Sequence, residues 1–163
     1  MHAELKALFA ADQDDRKQGI PAADMIERDR VRRRRVKELI GGDEPMTAVD
    51  CLHAAFVFQH GEELGDYWTA HELAKKAIEL GHPDERQAKW LAAASYDRWL
   101  TNQGKPQKYG TQFHGDQNGW RLMDYDPNTT DAERTLWGVP TLAELLRRGE
   151  ELNRRFPVRK GEA

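Results

Sequence analysis

Thr47-Ala-Val-Asp-Cys-Leu-His-Ala-Ala-Phe-Val-Phe-Gln-His-Gly61 opens on a helix cap, closes on a helix stop, and is apolar on nearly every side between them. Thr47 with Asp50 three residues on has the spacing of a capping box, aspartate standing where glutamate is usual. Gly61 is a natural C-terminal cap and leaves His60 in the last turn. The longest apolar stretch, Ala54 to Phe58, is far too short to cross a bilayer. A helix that is apolar all round and cannot span a membrane must be surrounded by protein. The segment therefore predicts the central helix of a helical domain.

Two helices are expected before it. The first runs from about Ala3 to Lys17 with Leu5, Leu8 and Phe9 on its apolar face, and Gly19-Ile20-Pro21 ends it. Positions 5, 9, 12 and 16 share one side of a helix, so Asp12 and Arg16 extend the core-facing stripe and Gln13 flanks them. The second, about Ala22 to Ile40, places Met25, Asp29, Arg32, Val36 and Ile40 on one stripe before Gly41-Gly42. Both stripes carry a carboxylate and a guanidinium inward.

Two more helices follow. One, capped by Asp66, carries Tyr67, Ala70, Ala74, Ala77 and Ile78 up to Gly81; the next starts near Pro83-Asp84 and carries Leu91, Ala94, Ser95, Asp97, Arg98 and Trp99 up to Gly104. Beyond it the texture changes. Tyr109 to His114 and Trp120 to Tyr125 are short aromatic-rich runs around Gly115-Asp-Gln-Asn-Gly119, which reads as a β-hairpin. A polar connection and a short helical turn through Glu133 and Leu136 lead to a last helix. It opens on the capping box Thr141/Glu144 and is expected to bury Leu142, Leu145, Leu146, Leu152 and Phe156. The expected fold is mainly α: one helical-bundle domain over residues 1–163, of about six helices, with a small β-hairpin after the fifth and a flexible tail over 157–163.

Composition narrows the function classes. A length of 163 residues fits one core, and a net charge of -3 with 33% charged and 39% hydrophobic residues is that of an ordinary globular chain. The single cysteine, Cys51, gives no disulfide framework and no cysteine metal cluster, and the N-terminus has no basic-then-apolar leader pattern. A cytoplasmic protein with no membrane partner is expected. Arg32-Arg33-Arg34-Arg35 is a dense basic run, but Asp29 and Glu38 flank it and a helix spreads it around the cylinder, so a solvated face is expected rather than a nucleic-acid contact. His53, His60 and His71-Glu72 offer nitrogen and oxygen ligands, but His71-Glu72 lacks the second histidine of HExxH, position 75 being lysine. No metal and no cofactor are predicted.

The most unusual segment is Lys105-Pro-Gln-Lys-Tyr-Gly-Thr-Gln112, which has no apolar periodicity and packs two amides, a phenol, a hydroxyl and a glycine into six residues. Taken with Asp12-Gln13-x-x-Arg16, Gln59-His60 and Asp97-Arg98, it resembles an uncharacterised bacterial family, a domain of unknown function with DQ-x-x-R, QH, DR and PQ-x-YGTQ signatures. The resemblance covers roughly residues 5 to 140. It departs at Gly41-Gly42-Asp43-Glu44-Pro45, where members often continue a tryptophan- or glycine-rich turn. The resemblance implies positions and no reaction.

What those positions can do follows from their chemistry. Histidine titrates near neutral pH, which makes His60 the candidate acid-base residue, with Tyr109 beside it as the second candidate catalytic group. Arg16 and Arg98 are permanent cations with a fork suited to carboxylate or phosphate. Asp12, Gln13, Gln59, Asp97, Gln107, Thr111 and Gln112 offer hydrogen bonds for orientation, and Gly110 permits close backbone approach. The leading expectation is a small enzyme acting on a polar or anionic small molecule by histidine-centred chemistry. The alternative is a non-catalytic ligand-binding, immunity or partner-interaction protein, in which the same ion pairs and turns only brace the fold. A basic-helix nucleic-acid binder is the third reading. Composition and motifs leave the oligomeric state open.

Overall fold

The computed structural model describes residues 2–157, so the tail expected over 157–163 lies, from Val158 onward, outside the described residues. Within them the chain runs α1 (Ala3–Gln18), α2 (Ala22–Ile40), α3 (Ala48–Gln59), α4 (Leu64–Glu79), α5 (Glu85–Thr101), β1 (Phe113–Asp116), β2 (Gly119–Leu122), α6 (Asp131–Leu136) and α7 (Leu142–Arg155). The fold is mainly helical with a two-stranded antiparallel hairpin after the fifth helix. The short turn expected near Glu133 is α6.

α3 is the central helix. It packs on α1, α2, α4 and α5, and eight of its twelve residues are buried. Its Thr47 side chain accepts from the Asp50 N–H at 3.2 Å while Asp50 accepts from the Thr47 N–H at 3.0 Å, the reciprocal box read from the sequence. Small residues let the neighbours approach closely: Ala54 and Ala55 of α3, Ala70, Ala74 and Ala77 of α4, and Ala88, Ala92 and Ala93 of α5 are all fully buried. Two apolar clusters result. One joins α3, α4 and α5 around Leu52 and Leu91, and the other joins α1, α2 and α3 around Leu5, Val36 and Val57.

The α1–α2 seam is held differently. Asp15 and Asp29 both pair with Arg32, Arg16 pairs with Asp29 at 2.7 Å, and Arg28 reaches Asp15 at 2.8 Å. The inward carboxylates and guanidiniums of the two stripes thus neutralise one another across the seam. Removing one partner of such a pair is expensive because the other charge stays desolvated.

Three expectations are corrected. α4 starts at Leu64, two residues before Asp66, whose carboxylate accepts from the N–H groups of Glu62 and Glu63 at 3.1 and 3.3 Å from inside the first turn. The strands are shorter than the expected runs and lie nearer the turn, Phe113 pairing with Leu122, because residues 108–111 are committed to Asp97. Gln107 still meets Tyr125, in an isolated bridge. On α7 only Leu145 of the expected leucines and phenylalanine is fully buried. Leu146 and Phe156 are about half exposed: Leu146 points about 100° away from the face that α7 lays on β2, and Phe156 is the residue that closes the helix.

Candidate functional site

The C-terminus of α3 is where the polar side chains gather. A helix end leaves carbonyls without partners, and here three consecutive ones are taken by side chains from three other elements. Arg98 of α5 donates to the Gln59 carbonyl at 2.7 Å, Arg33 of α2 to that of His60 at 3.0 Å, and the Tyr67 phenol of α4 to that of Gly61 at 2.9 Å. Cations there also complement the negative end of the helix dipole. His60, the residue that closes the helix, is therefore fixed in place by its backbone.

Its ring is fixed too. Nδ1 lies 3.2 Å from Oδ1 of Asp12, which is fully buried on α1. An ionised carboxylate can only accept, so Nδ1 is the donor of this contact, and in the neutral imidazole the lone pair is the one on Nε2. Nε2 makes no hydrogen bond with any described residue. The rest of Asp12 is satisfied: Arg16 pairs with Oδ1 at 2.9 Å and Gln13 donates its amide to Oδ2 at 2.8 Å. A buried carboxylate that sets the tautomer and angle of a partly exposed imidazole is the arrangement that general-base histidines use.

Arg98 reaches the same helix end through the carbonyl of Gln59, the residue before His60. Its Nε donates to Oε1 of Gln112 at 3.2 Å, and its guanidinium lies 6.0 Å from the centre of the Tyr67 ring. Nη2 makes no hydrogen bond, and no carboxylate pairs with Arg98, among the described residues. Burial lowers its pKa; the neighbouring Tyr67 opposes that and the positive charge of Arg16 adds to it. The site thus holds a desolvated guanidinium and lacks a full counter-charge for it. Burial also pushes the Tyr67 phenol up, which keeps it a neutral donor.

The Lys105–Gln112 segment is a cage around one carboxylate. Oδ1 of Asp97 accepts from the N–H groups of Lys108 and Tyr109 at 2.7 and 2.8 Å, and Oδ2 from those of Gly110 and Thr111, both at 3.0 Å, and from the Thr111 hydroxyl at 2.8 Å. Burial raises the pKa of this carboxyl on balance, and the donors of Tyr109, Thr111 and Lys108 oppose it. Gln107, fully buried, closes the loop from within: its amide donates to the carbonyls of Gln112 and Met123, both at 3.0 Å, and accepts from the Gln112 N–H at 2.8 Å. Gly110 takes φ +95°, and a side chain there would meet Leu145 at 2.8 Å. The cage delivers one side chain to the α3 end, Gln112, whose amide also bonds the Ala94 carbonyl at 3.2 Å.

The twelve residues singled out by sequence therefore divide. Asp12, Gln13, Arg16 and His60 form one bonded group and Gln59, Arg98 and Gln112 another, and the two are joined through the backbone at Gln59–His60; Gln59 contributes its carbonyl and accepts the Ser95 hydroxyl through its side chain at 2.7 Å. Asp97, Gln107, Gly110 and Thr111 build the loop that presents Gln112. Tyr109 packs with Ala93, Val139 and Leu145, 5.8 Å from the Trp137 ring, and burial raises its phenol. No hydrogen bond joins it to His60 or Arg98 among the described residues. Tyr67 and Arg33 also reach this helix end and were not singled out by the sequence. A tyrosine on a core stripe needs a partner for its hydroxyl, and that was the available signal for Tyr67.

The remaining titratable groups lie elsewhere. His53 stacks on Phe9 at 4.3 Å and His71 bonds the Ala92 carbonyl at 2.8 Å. Among the described residues, no three His, Cys, Asp or Glu side chains come together as a metal site. In the arginine run, Arg32 and Arg33 are buried in ion pairs, and Arg35 pairs with Glu4 and Glu38 at 2.6 Å each. No helix among the described residues is long and apolar enough to cross a membrane. Comparison with known proteins finds no family model, no curated protein and no solved structure that matches this chain.

Proposed function

We propose that the protein is a small cytoplasmic enzyme that holds an anionic small molecule against Arg98 and moves a proton at Nε2 of His60. The observation that carries this reading is the pairing of His60 with the buried Asp12 at the helix end whose Gln59 carbonyl is held by Arg98, a guanidinium that pairs with no carboxylate among the described residues. Asp12 orients the imidazole, Arg98 and Arg16 supply positive potential, and Gln112 holds Arg98 in position. The proposed membership of the QH, DR and PQ-x-YGTQ family accords with this, since the landmarks carrying the resemblance meet at one helix end or build the loop beside it. A lone buried cysteine, its thiol pushed up by burial, fits a reducing compartment.

A second reading is favoured by the three capped carbonyls of α3. Arg98 has a structural task there whatever else it does, as expected of a binding or partner-interaction protein.

The test compares wild type with His60→Gln, whose amide can still donate to Asp12 but cannot relay a proton. Each is incubated with a small-molecule extract and followed by mass spectrometry. A compound consumed by wild type and untouched by His60→Gln is the expected result. Consumption by both proteins, or by neither, overturns the catalytic assignment.

A further inference from the structure

We infer that the groove between the first turns of α5 and the connection from α6 to α7 receives a short acidic segment of a partner protein that carries one bulky apolar side chain. None of the residues lining it belongs to the groups gathered at the end of α3. Gly138 lets the connection lie against α5: it takes φ +68°, and an added Cβ would meet the Arg86 carbonyl at 3.0 Å. Two hollows meet there, of about 560 and 320 Å³, and Arg86, Gly138 and Pro140 line both.

The hollows differ in character. Leu136 and Val139 give the larger one an apolar wall, and Leu136 is 63% exposed, more than any other large apolar side chain among the described residues. Covering it is favourable. The smaller hollow sets Arg86 and Arg148 around Trp90, and neither guanidinium makes a hydrogen bond or ion pair with any described residue. The carboxylates around the groove are already matched. Asp84 accepts from the Gln87 N–H at 2.9 Å as the cap of α5, and Glu144 accepts from the Thr141 N–H at 2.8 Å in the capping box of α7. Both thereby offset the positive end of a helix. Glu85 pairs with Lys89 at 2.7 Å. Two uncompensated cations beside an uncovered leucine call for carboxylates next to an apolar side chain. Both hollows are open to solvent, so a small molecule would stay largely exposed, whereas a chain segment can lie along the two together.

The probe is a short synthetic peptide in which glutamates flank one leucine, titrated into the ¹⁵N-labelled full chain. One control peptide has lysines for the glutamates, and another has serine for the leucine. The expected result is saturable, salt-weakened binding of the acidic peptide, with shifts at the amides of Leu136 and Gly138 and at the Trp90 indole. The serine peptide should bind about tenfold more weakly and the lysine peptide should not bind. Arg148→Glu and Leu136→Ser, both at exposed positions, should each weaken the acidic peptide about tenfold and leave the melting temperature unchanged. Equal binding of the lysine peptide, shifts that stay away from Gly138, affinity that survives Arg148→Glu, or no binding of any peptide overturns the assignment. Shifts at Gly138 that grow with protein concentration in the absence of peptide, and vanish in Arg148→Glu, would give the groove to a second copy of the chain and also overturn it.

Discussion

Nδ1 of His60 and Oδ1 of Asp12 lie 3.2 Å apart although 48 residues separate them, and the carboxylate is fully buried while the ring is not. Asp12→Asn keeps the shape but removes the charge that Arg16 and the imidazole share. It should cost about 2 kcal/mol in urea denaturation, the scale of a hydrogen bond to a charged group. Nitrogen NMR of the imidazole should show the Nδ1–H tautomer in wild type and a mixture in the variant. An unchanged tautomer would mean that the helix end alone orients the ring.

Asp97→Asn tests the cage. Each Asp97 oxygen accepts at least two donors, so either orientation of an asparagine amide turns its NH2 toward two backbone N–H groups. Two buried donors left unpaired cost about 1–3 kcal/mol each. The variant should unfold at markedly lower urea and lose the amide protection of Lys108 to Thr111 in hydrogen exchange. Asp97→Glu, with the charge kept and the reach changed, should also be destabilised.

Gly110→Ala combines a strained backbone with a collision. At φ +95° the added methyl both leaves the favoured region and meets Cδ1 of Leu145 at 2.8 Å. A loss of about 2 kcal/mol is expected. Adding Leu145→Ala should not restore stability, because it empties a packed position and the backbone strain remains. Relief by the second substitution would show that the collision dominates.

Acid should weaken the fold in a defined window. Burial lowers the pKa of His53, stacked on Phe9, and of His71, held by the Ala92 carbonyl, below the ordinary 6.5. The unfolded chain then binds protons that the folded chain refuses. Stability from these residues is complete above about pH 6.5 and lost as pH falls through their lowered folded values. The urea midpoint should drop between pH 7 and pH 5, and the double variant His53→Phe/His71→Gln should flatten that dependence.

Charge reversal in the arginine run distinguishes a structural helix from a nucleic-acid surface. Arg33→Glu should lower the melting temperature sharply, since Arg33 binds the His60 carbonyl, Glu62 and Asp66 from a buried position. Arg34→Glu, on the exposed side, should change stability by less than about 0.5 kcal/mol. Salt-dependent DNA or RNA binding that Arg34→Glu abolishes would support the basic-helix reading instead.

The central helix, the boundaries of α1, α2 and α5, both threonine capping boxes and the hairpin after the fifth helix could all be read from the chain, because caps and 3.6-residue periodicity act within a few residues of sequence. Sequence also marked the polar residues that face inward, since Asp12, Asp29 and Arg32 sit where the stripe requires apolar ones. It could not say whom they serve. Asp97 does not serve Arg98, its neighbour in sequence, but gathers the N–H groups of residues 108–111, and Arg98 turns to the end of α3. On α7, Leu145 and Leu146 are alike in composition, and only the position of β2 decides which one is covered. A buried charge must find a partner, and the sequence imposes that demand. Which partner answers depends on which helices are brought side by side, and only the packed structure fixes that.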